Sequence, residues 1–276
     1  NAWQIVNQSR TVASDAAEFV SVGRDLGQPI LYVSGQLRAG SEAETAAIAI
    51  PNPAAHFIDR FRLALEEQGI AVGQTAVTLE PMAAPARELA FHQSPPLAEL
   101  LVPTNRKSTN LYAESLLKTL GIAFSSQRPD QATEAGLAAV TAVLTRLGMD
   151  SSSFAIADGS GLSRHNLATP AALVNLLQIM AHHPEAAIYR DSLAVAGVSG
   201  TLRNRLPNTP LEGNLYGKTG AVSGNVSLSG YLTPPSYQPL VVSILINNAN
   251  QRAGALRQII DEMLLILVQL EDCQTN

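Results

Sequence analysis

Three strand-like runs, at 213–220, 225–232 and 239–247, the second of them alternating over Val226 to Leu232, constrain this chain more than any other feature. Each is strand-length and bounded by glycine, proline or asparagine. Sequential strands joined by links this short form an antiparallel sheet. The segment that follows, 251–270, carries Leu256, Ile259, Ile260, Met263, Leu264 and Leu267 in one helical stripe. Such a stripe has to be buried against a neighbouring layer, so the prediction is a helix packed on that sheet.

The first of these runs contains Tyr216-Gly217-Lys218-Thr219-Gly220-Ala221. Successive side chains on a strand point to opposite faces, which puts Lys218 and Gly220 on one face. Glycine leaves room there for another backbone to lie close. The lysine beside that space supplies a fixed cation for a carboxylate. Taken alone, Lys-Thr-Gly also fits a surface lysine entering a hairpin. Upstream, Ser108-Thr109-Asn110 stands just ahead of an apolar pattern at helical spacing, Tyr112, Leu116, Leu117 and Leu120.

Four segments occur in order: Ser108-Thr109-Asn110-Leu111-Tyr112-Ala113-Glu114-Ser115-Leu116-Leu117-Lys118, Asp158-Gly159-Ser160-Gly161-Leu162-Ser163-Arg164, Gly200-Thr201-Leu202-Arg203 and Lys218-Thr219-Gly220. Together they resemble the D-alanyl-D-alanine carboxypeptidase/endopeptidase group of low-molecular-mass penicillin-binding proteins. The resemblance covers most of the chain from about Leu89 onward and, more loosely, the part before. It implies a mixed α+β fold of the β-lactamase/penicillin-binding transpeptidase type, an antiparallel sheet beside a helical cluster. Residues 1–86 would be the C-terminal part of an inserted small α/β accessory region, and 87–276 the C-terminal part of the peptidase domain.

The resemblance also implies the chemistry. Acyl transfer by an activated serine needs a nucleophile, a base, oxyanion donors and a substrate anchor. The catalytic set would be Ser108, Asn110 and Lys218. Ser108 would pass a proton between nucleophile and leaving group. Asn110 would bond the substrate amide and the catalytic lysine, and Lys218 with Thr219 would hold the terminal carboxylate. Gly220 and Ala221 join Thr219 as substrate-binding residues, the Ala221 N–H forming half of the oxyanion hole, and Gly161 and Leu162 would line the pocket wall. The family usually has threonine after Lys-Thr-Gly, so alanine at 221 removes a hydroxyl. No metal or other cofactor is implied. The partners would be a peptidoglycan peptide ending in D-Ala-D-Ala and β-lactam antibiotics, at an extracytoplasmic site, the periplasm or cell envelope.

The nucleophile is missing from this scheme. It belongs to a Ser-x-x-Lys signature, and the literal match here, Ser115-Leu116-Leu117-Lys118, does not fit. On one helix Ser115 would lie ~10 Å along the axis from Ser108, beyond hydrogen-bond reach. Nor is it at a helix start, where backbone donors face an oxygen. The expectation is therefore the C-terminal part of a longer enzyme, whose missing N-terminal segment carries the serine. Two alternatives stand beside the carboxypeptidase: a serine β-lactamase, and a non-catalytic peptidoglycan-binding relative. For Asp158 the plainer reading is a turn residue, since Asp and Gly make tight turns. Gly200 to Arg203 reads as a turn, with Arg203 close to the cleft.

Composition narrows the field. At 276 residues, with 46% hydrophobic and 15% charged, the chain can build one large or two ordinary domains. A net charge of −5 argues against nucleic acid, which calls for a basic stripe. The single cysteine, Cys273, excludes an internal disulfide. The longest apolar run, 263–268, falls far short of the ~20 residues of a membrane span. The five histidines lack metal-ligand spacing, and His182-His183 before Pro184 reads as a helix end. With no initiator methionine or leader, the chain reads as mature or trimmed.

Along the chain, 1–50 reads as strands and turns, including Ile30 to Gly35 and Ala46 to Ile50. Asn52-Pro53 caps a helix with Phe57, Phe61, Ala64 and Leu65 buried and Gly69 as its stop. Strand character returns over Ile70 to Leu79. Ser94-Pro95-Pro96 caps a helix ending near Val102. Asp130 caps another with Leu137, Val140, Val143, Leu144 and Leu147 inward, closed by Gly148. Thr169-Pro170 caps a third, with Leu173, Leu176, Leu177 and Met180 inward.

Overall fold

β-branched and aromatic residues favour extended chain over β1 (Gln4–Val12), β2 (Phe19–Arg24) and β3 (Ile30–Arg38). In the computed structural model, which describes residues 3–43, 45–78, 87–125 and 131–271, these strands form one sheet. Its order is β1-β3-β2, with β1 parallel and β2 antiparallel to β3. Asn52 then caps α1 (Pro53–Glu67), its side chain accepting from the Ala55 N–H, and Gly69 at φ +75° follows it. The chain divides into two compact units, Asn1–Phe91 and His92–Asn276.

Three expectations for the first unit are corrected. Ala46 to Ile50 is coil, and so is 70–78, Leu79 lying outside the described residues; the described sheet is made of β1, β3 and β2 alone. The α1 stripe is not buried: Phe57 and Phe61 are 69% and 55% exposed and stack on each other at 6.1 Å.

The second unit opens with α2 (Leu97–Arg106), α3 (Asn110–Ser125) and α4 (Ala132–Arg146). α2 runs past Val102 and through Pro103, and Pro96 rather than Ser94 occupies its cap position. Pro103 has no N–H to return to Glu99 O; around it, Thr104 Oγ1 donates to Leu100 O at 2.6 Å and Thr109 Oγ1 to Pro103 O at 2.9 Å. For α4 the expected cap, Asp130, lies outside the described residues. Its buried positions are Ala132, Gly136 and Ala139, whereas Leu147 is exposed. Small residues go inward because α3 and α4 cross closely. A Cβ on Gly121 would lie 2.1 Å from Ala132 O, and one on Gly136 would lie 2.3 Å from Leu117 O.

The short hairpin of β4 (Phe154–Ala155) and β5 (Leu167–Ala168) follows. Then come α5 (Pro170–Ala181), capped by Thr169 as expected and ended at His182, and α6 (Ala186–Ser192). β6 (Ala194–Val195), β7 (Leu215–Val222), β8 (Asn225–Leu232) and β9 (Leu240–Ile246) form a sheet in that order. Every pair is antiparallel.

The terminal helix, α7 (Ala253–Leu267), lies on one face of this sheet. Leu256, Ile260 and Leu264 join Leu215, Val226, Leu228, Leu232 and Val242 in the core. Ile259 and Met263, expected in that stripe, are about half exposed. Tyr231, on the opposite face, donates its hydroxyl to Leu177 O of α5 at 2.9 Å. The second unit is therefore layered α7, sheet, helical cluster.

Candidate active site

The site begins where α2 ends. Both the N–H and the hydroxyl of Thr109 return to Pro103 O, at 3.2 and 2.9 Å. This bends the chain sharply between α2 and α3 and places Ser108 at φ +57°, a left-handed conformation that costs a residue with a Cβ. α2 itself is fastened to the C-terminal end of α6. Asn105 Nδ2 donates to the buried Ser192 Oγ at 2.7 Å, and the Arg106 guanidinium donates to the Leu193 and Asp191 carbonyls.

Lys218 reaches Ser108 from β7. Its Nζ donates to Ser108 Oγ at 2.6 Å and to Thr219 O at 2.9 Å. Burial holds the ammonium below the ordinary lysine range, because desolvation disfavours the charged form. Ser108 Oγ accepts from the lysine, so its own proton stays available to donate. A hydroxyl held by a partly desolvated ammonium is suited to passing a proton.

The expected groups are thus brought together in part. Ser108 and Lys218 meet across 110 residues of chain. Asn110 is the first residue of α3, and its exposed side chain makes no hydrogen bond among the described residues, Lys218 included. Gly161, Leu162, Gly220 and Ala221 line a cleft of about 770 Å³ between the β4–β5 connection, α5 and the ends of β7 to β9. Ser115 and Lys118 are exposed on α3, and Ser115 Oγ is spent on Leu111 O at 2.8 Å.

The cleft wall is built by Asp158. Its Oδ1 accepts from Gly161 N at 2.6 Å and Asn166 Nδ2 at 2.9 Å, and its Oδ2 from Ser163 N at 2.7 Å. Burial alone would raise its pKa, but these donors outweigh it and hold the carboxyl below the usual range. Asp158 is the turn residue of the plainer expectation.

Two residues that sequence reasoning passed over belong here. Glu114 Oε1 accepts the N–H groups of Gly159 and Ser160, at 3.1 and 2.9 Å, tying α3 to the wall. The signal was present: Glu114 stands one helical turn after Asn110. The other is Thr201, in the 3₁₀ turn Gly200–Leu202, whose Oγ1 accepts from Thr219 Oγ1 at 2.8 Å. Only the fold brings that pair together. Arg203 ends the same turn, exposed. Among the described residues no group of three His, Cys, Asp or Glu could hold a metal ion, and no helix is long and apolar enough to cross a membrane.

The chain is similar to several known proteins. D-alanyl-D-alanine carboxypeptidase from Actinomadura sp. (strain R39) is 36% identical over 252 residues, 88% of this chain and 46% of that protein. The D-alanyl-D-alanine carboxypeptidase DacB of Haemophilus influenzae is 32% identical over 190 residues, 68% of this chain and 39% of its own. The chain spans less than half the length of these relatives. The crystal structure of penicillin binding protein 4 (dacB) from Haemophilus influenzae superposes with a TM-score of 0.76 at 26% identity, over 97% of this chain and 61% of that one. The model of the D-Ala-D-Ala carboxypeptidase 3 (S13) family matches residues 1–270, and the chain belongs to that family.

Proposed function

We propose that this chain supplies the proton-relay and substrate-anchoring side of a serine D-Ala-D-Ala carboxypeptidase that also cleaves peptide cross-links and is acylated by β-lactams. The observation that carries the reading is the 2.6 Å bond from Lys218 Nζ to Ser108 Oγ, because nothing in the core asks for a desolvated ammonium on a strained serine.

In this reading the nucleophilic serine lies outside the 276 residues, on a Ser-x-x-Lys segment. Its oxygen attacks the carbonyl of the penultimate D-Ala. The C–O bond forms, the C–N bond breaks, and the proton lost by the nucleophile reaches the leaving D-Ala amine through Ser108. Water then hydrolyses the acyl-enzyme. Asn110 holds the substrate amide, Lys218 and Thr219 hold the terminal carboxylate, and the Ala221 N–H is one oxyanion donor. Gly161 and Leu162 meet the peptide's side chain. Residues 1–86 act as part of an accessory region, and the enzyme works on peptidoglycan in the periplasm or cell envelope.

Labelled penicillin followed by denaturing electrophoresis tests the scheme. The full-length protein is expected to carry a covalent band and to release D-Ala from a stem peptide, while the 276-residue chain alone stays unlabelled. A covalent band on the isolated chain would show that it holds its own nucleophile and would overturn the assignment.

A further inference from the structure

Thr201 is an exposed residue on a closely packed backbone. Gly200, at φ +62°, lies so close to the end of α2 that a Cβ would sit 2.2 Å from Arg106 O. Leu202, on the other side, is fully buried in the core beneath the sheet. The Gly197 N–H donates to both Leu202 O and Arg205 O, at 3.1 and 2.9 Å. Arg106, which the turn rests against, is itself bonded to the Leu193 carbonyl and stands two residues before Ser108. The turn is therefore wedged between the strand that carries Lys218 and the helix end that carries its partner.

Among the described residues the Thr201 side chain makes one hydrogen bond, with Thr219 Oγ1 at 2.8 Å. Burial does not demand it, since Thr201 is exposed and water would serve its hydroxyl equally well. A hydroxyl has one proton and two acceptor lone pairs. As the pair stands, Thr219 spends its proton on Thr201, and the Thr201 proton remains unspent. Position 221 is two along from Thr219 on the same face of β7 and is alanine, with no hydroxyl to offer. A second hydroxyl beside Thr219 therefore comes from the neighbouring turn.

From this we infer that Thr201 and Thr219 form a two-hydroxyl receptor for the carboxylate at the C-terminal end of the substrate, one residue along β7 from Lys218. The inference rests on the acyl-transfer reading above and names the group that selects a free carboxylate there. When the anion arrives, Thr219 turns its proton from Thr201 to a carboxylate oxygen. Thr201 donates either to the second oxygen or back to Thr219, so both protons serve one negative charge. No reorganisation of the backbone is required, which makes the receptor preorganised.

Kinetics of the full-length enzyme on one peptide ending in D-Ala-D-Ala, as its free carboxylate and as its C-terminal carboxamide, test the inference. A hydrogen bond to a charged group corresponds to roughly a ten- to hundredfold change in an equilibrium. Thr201→Val is expected to lower kcat/KM on the free carboxylate by roughly that factor, mainly through KM, and to leave the carboxamide nearly unaffected. Thr201→Ser should restore most of the loss, and Thr201→Ala, a second hydroxyl-free variant, should reproduce it. A merely structural role would depress both substrates together, and that result overturns the inference, as does an unchanged kcat/KM on the carboxylate. A wild-type enzyme that cleaves neither peptide overturns the acyl-transfer reading and this inference together, so the two failures are distinguishable.

Discussion

At Ser108 two demands meet in one residue. Its φ of +57° belongs to a region where a Cβ crowds the following carbonyl, at roughly 1–2 kcal/mol. Its hydroxyl is held by Lys218. Strain of this kind persists when the surroundings over-determine it, and here Thr109, bonded twice to Pro103 O, does so. Two substitutions separate the costs. Ser108→Ala and Ser108→Gly both delete the hydroxyl, but only glycine relieves the backbone. Thermal denaturation is expected to rank Ser108→Gly above Ser108→Ala by about 1 kcal/mol, with proton relay lost in both. Equal stability would mean that the left-handed turn stores no strain.

At the scale of elements, the close crossing of α3 and α4 makes one substitution act in opposite directions at two places. Gly136→Ala pushes a methyl group against Leu117 O, 2.3 Å away, and overpacking of that order costs roughly 1–3 kcal/mol. Gly254→Ala, near the start of α7, meets nothing within 4 Å and gains up to about 1 kcal/mol of helix propensity. Denaturant midpoints of the two variants should move in opposite directions, and a stabilised Gly136→Ala would show that the helices do not approach this closely. The crossing also explains what was legible in the sequence. Period and caps announced most of the second unit: the run into β7, the Thr169 cap, and the glycine after α4. They failed where packing is made by absence of a side chain. In the α4 stripe Leu137, Val140, Val143 and Leu144 are half-buried and Leu147 is exposed, while full burial goes to Ala132, Gly136 and Ala139, because hydropathy does not register a glycine pressed on a backbone. In the site, Ser108 and Lys218 were legible because they sit in fixed words. Thr201 was not, because its bond to Thr219 exists only once β7 and the turn lie side by side.

Across the whole molecule, the two compact units are built to unequal standards. In His92–Asn276, Leu193, Leu202, Leu211, Leu215, Leu228, Leu232, Ile260 and Leu264 are each less than 2% exposed. Among the described residues of Asn1–Phe91 only Gln36 is buried, and it is polar. It is satisfied by Arg10 Nη2, which donates to its Oε1 at 2.9 Å, and by Ala17 O, which accepts from its Nε2 at 2.6 Å. α1 buries no residue fully. Apolar burial is the main source of folding free energy, and a unit this small with so little of it is marginal. Units of unequal stability open separately. The single tryptophan, Trp3, lies in the first unit and reports on it alone. On heating, tryptophan fluorescence is expected to change first, while most of the helical circular dichroism, which comes from α2 to α7, survives to a second and higher transition. Hydrogen exchange should agree, with the amides of β1 to β3 exchanging well before those of β7 to β9. Coincident fluorescence and dichroism transitions would show that the two units unfold as one, and that the first draws on stability from outside its own core.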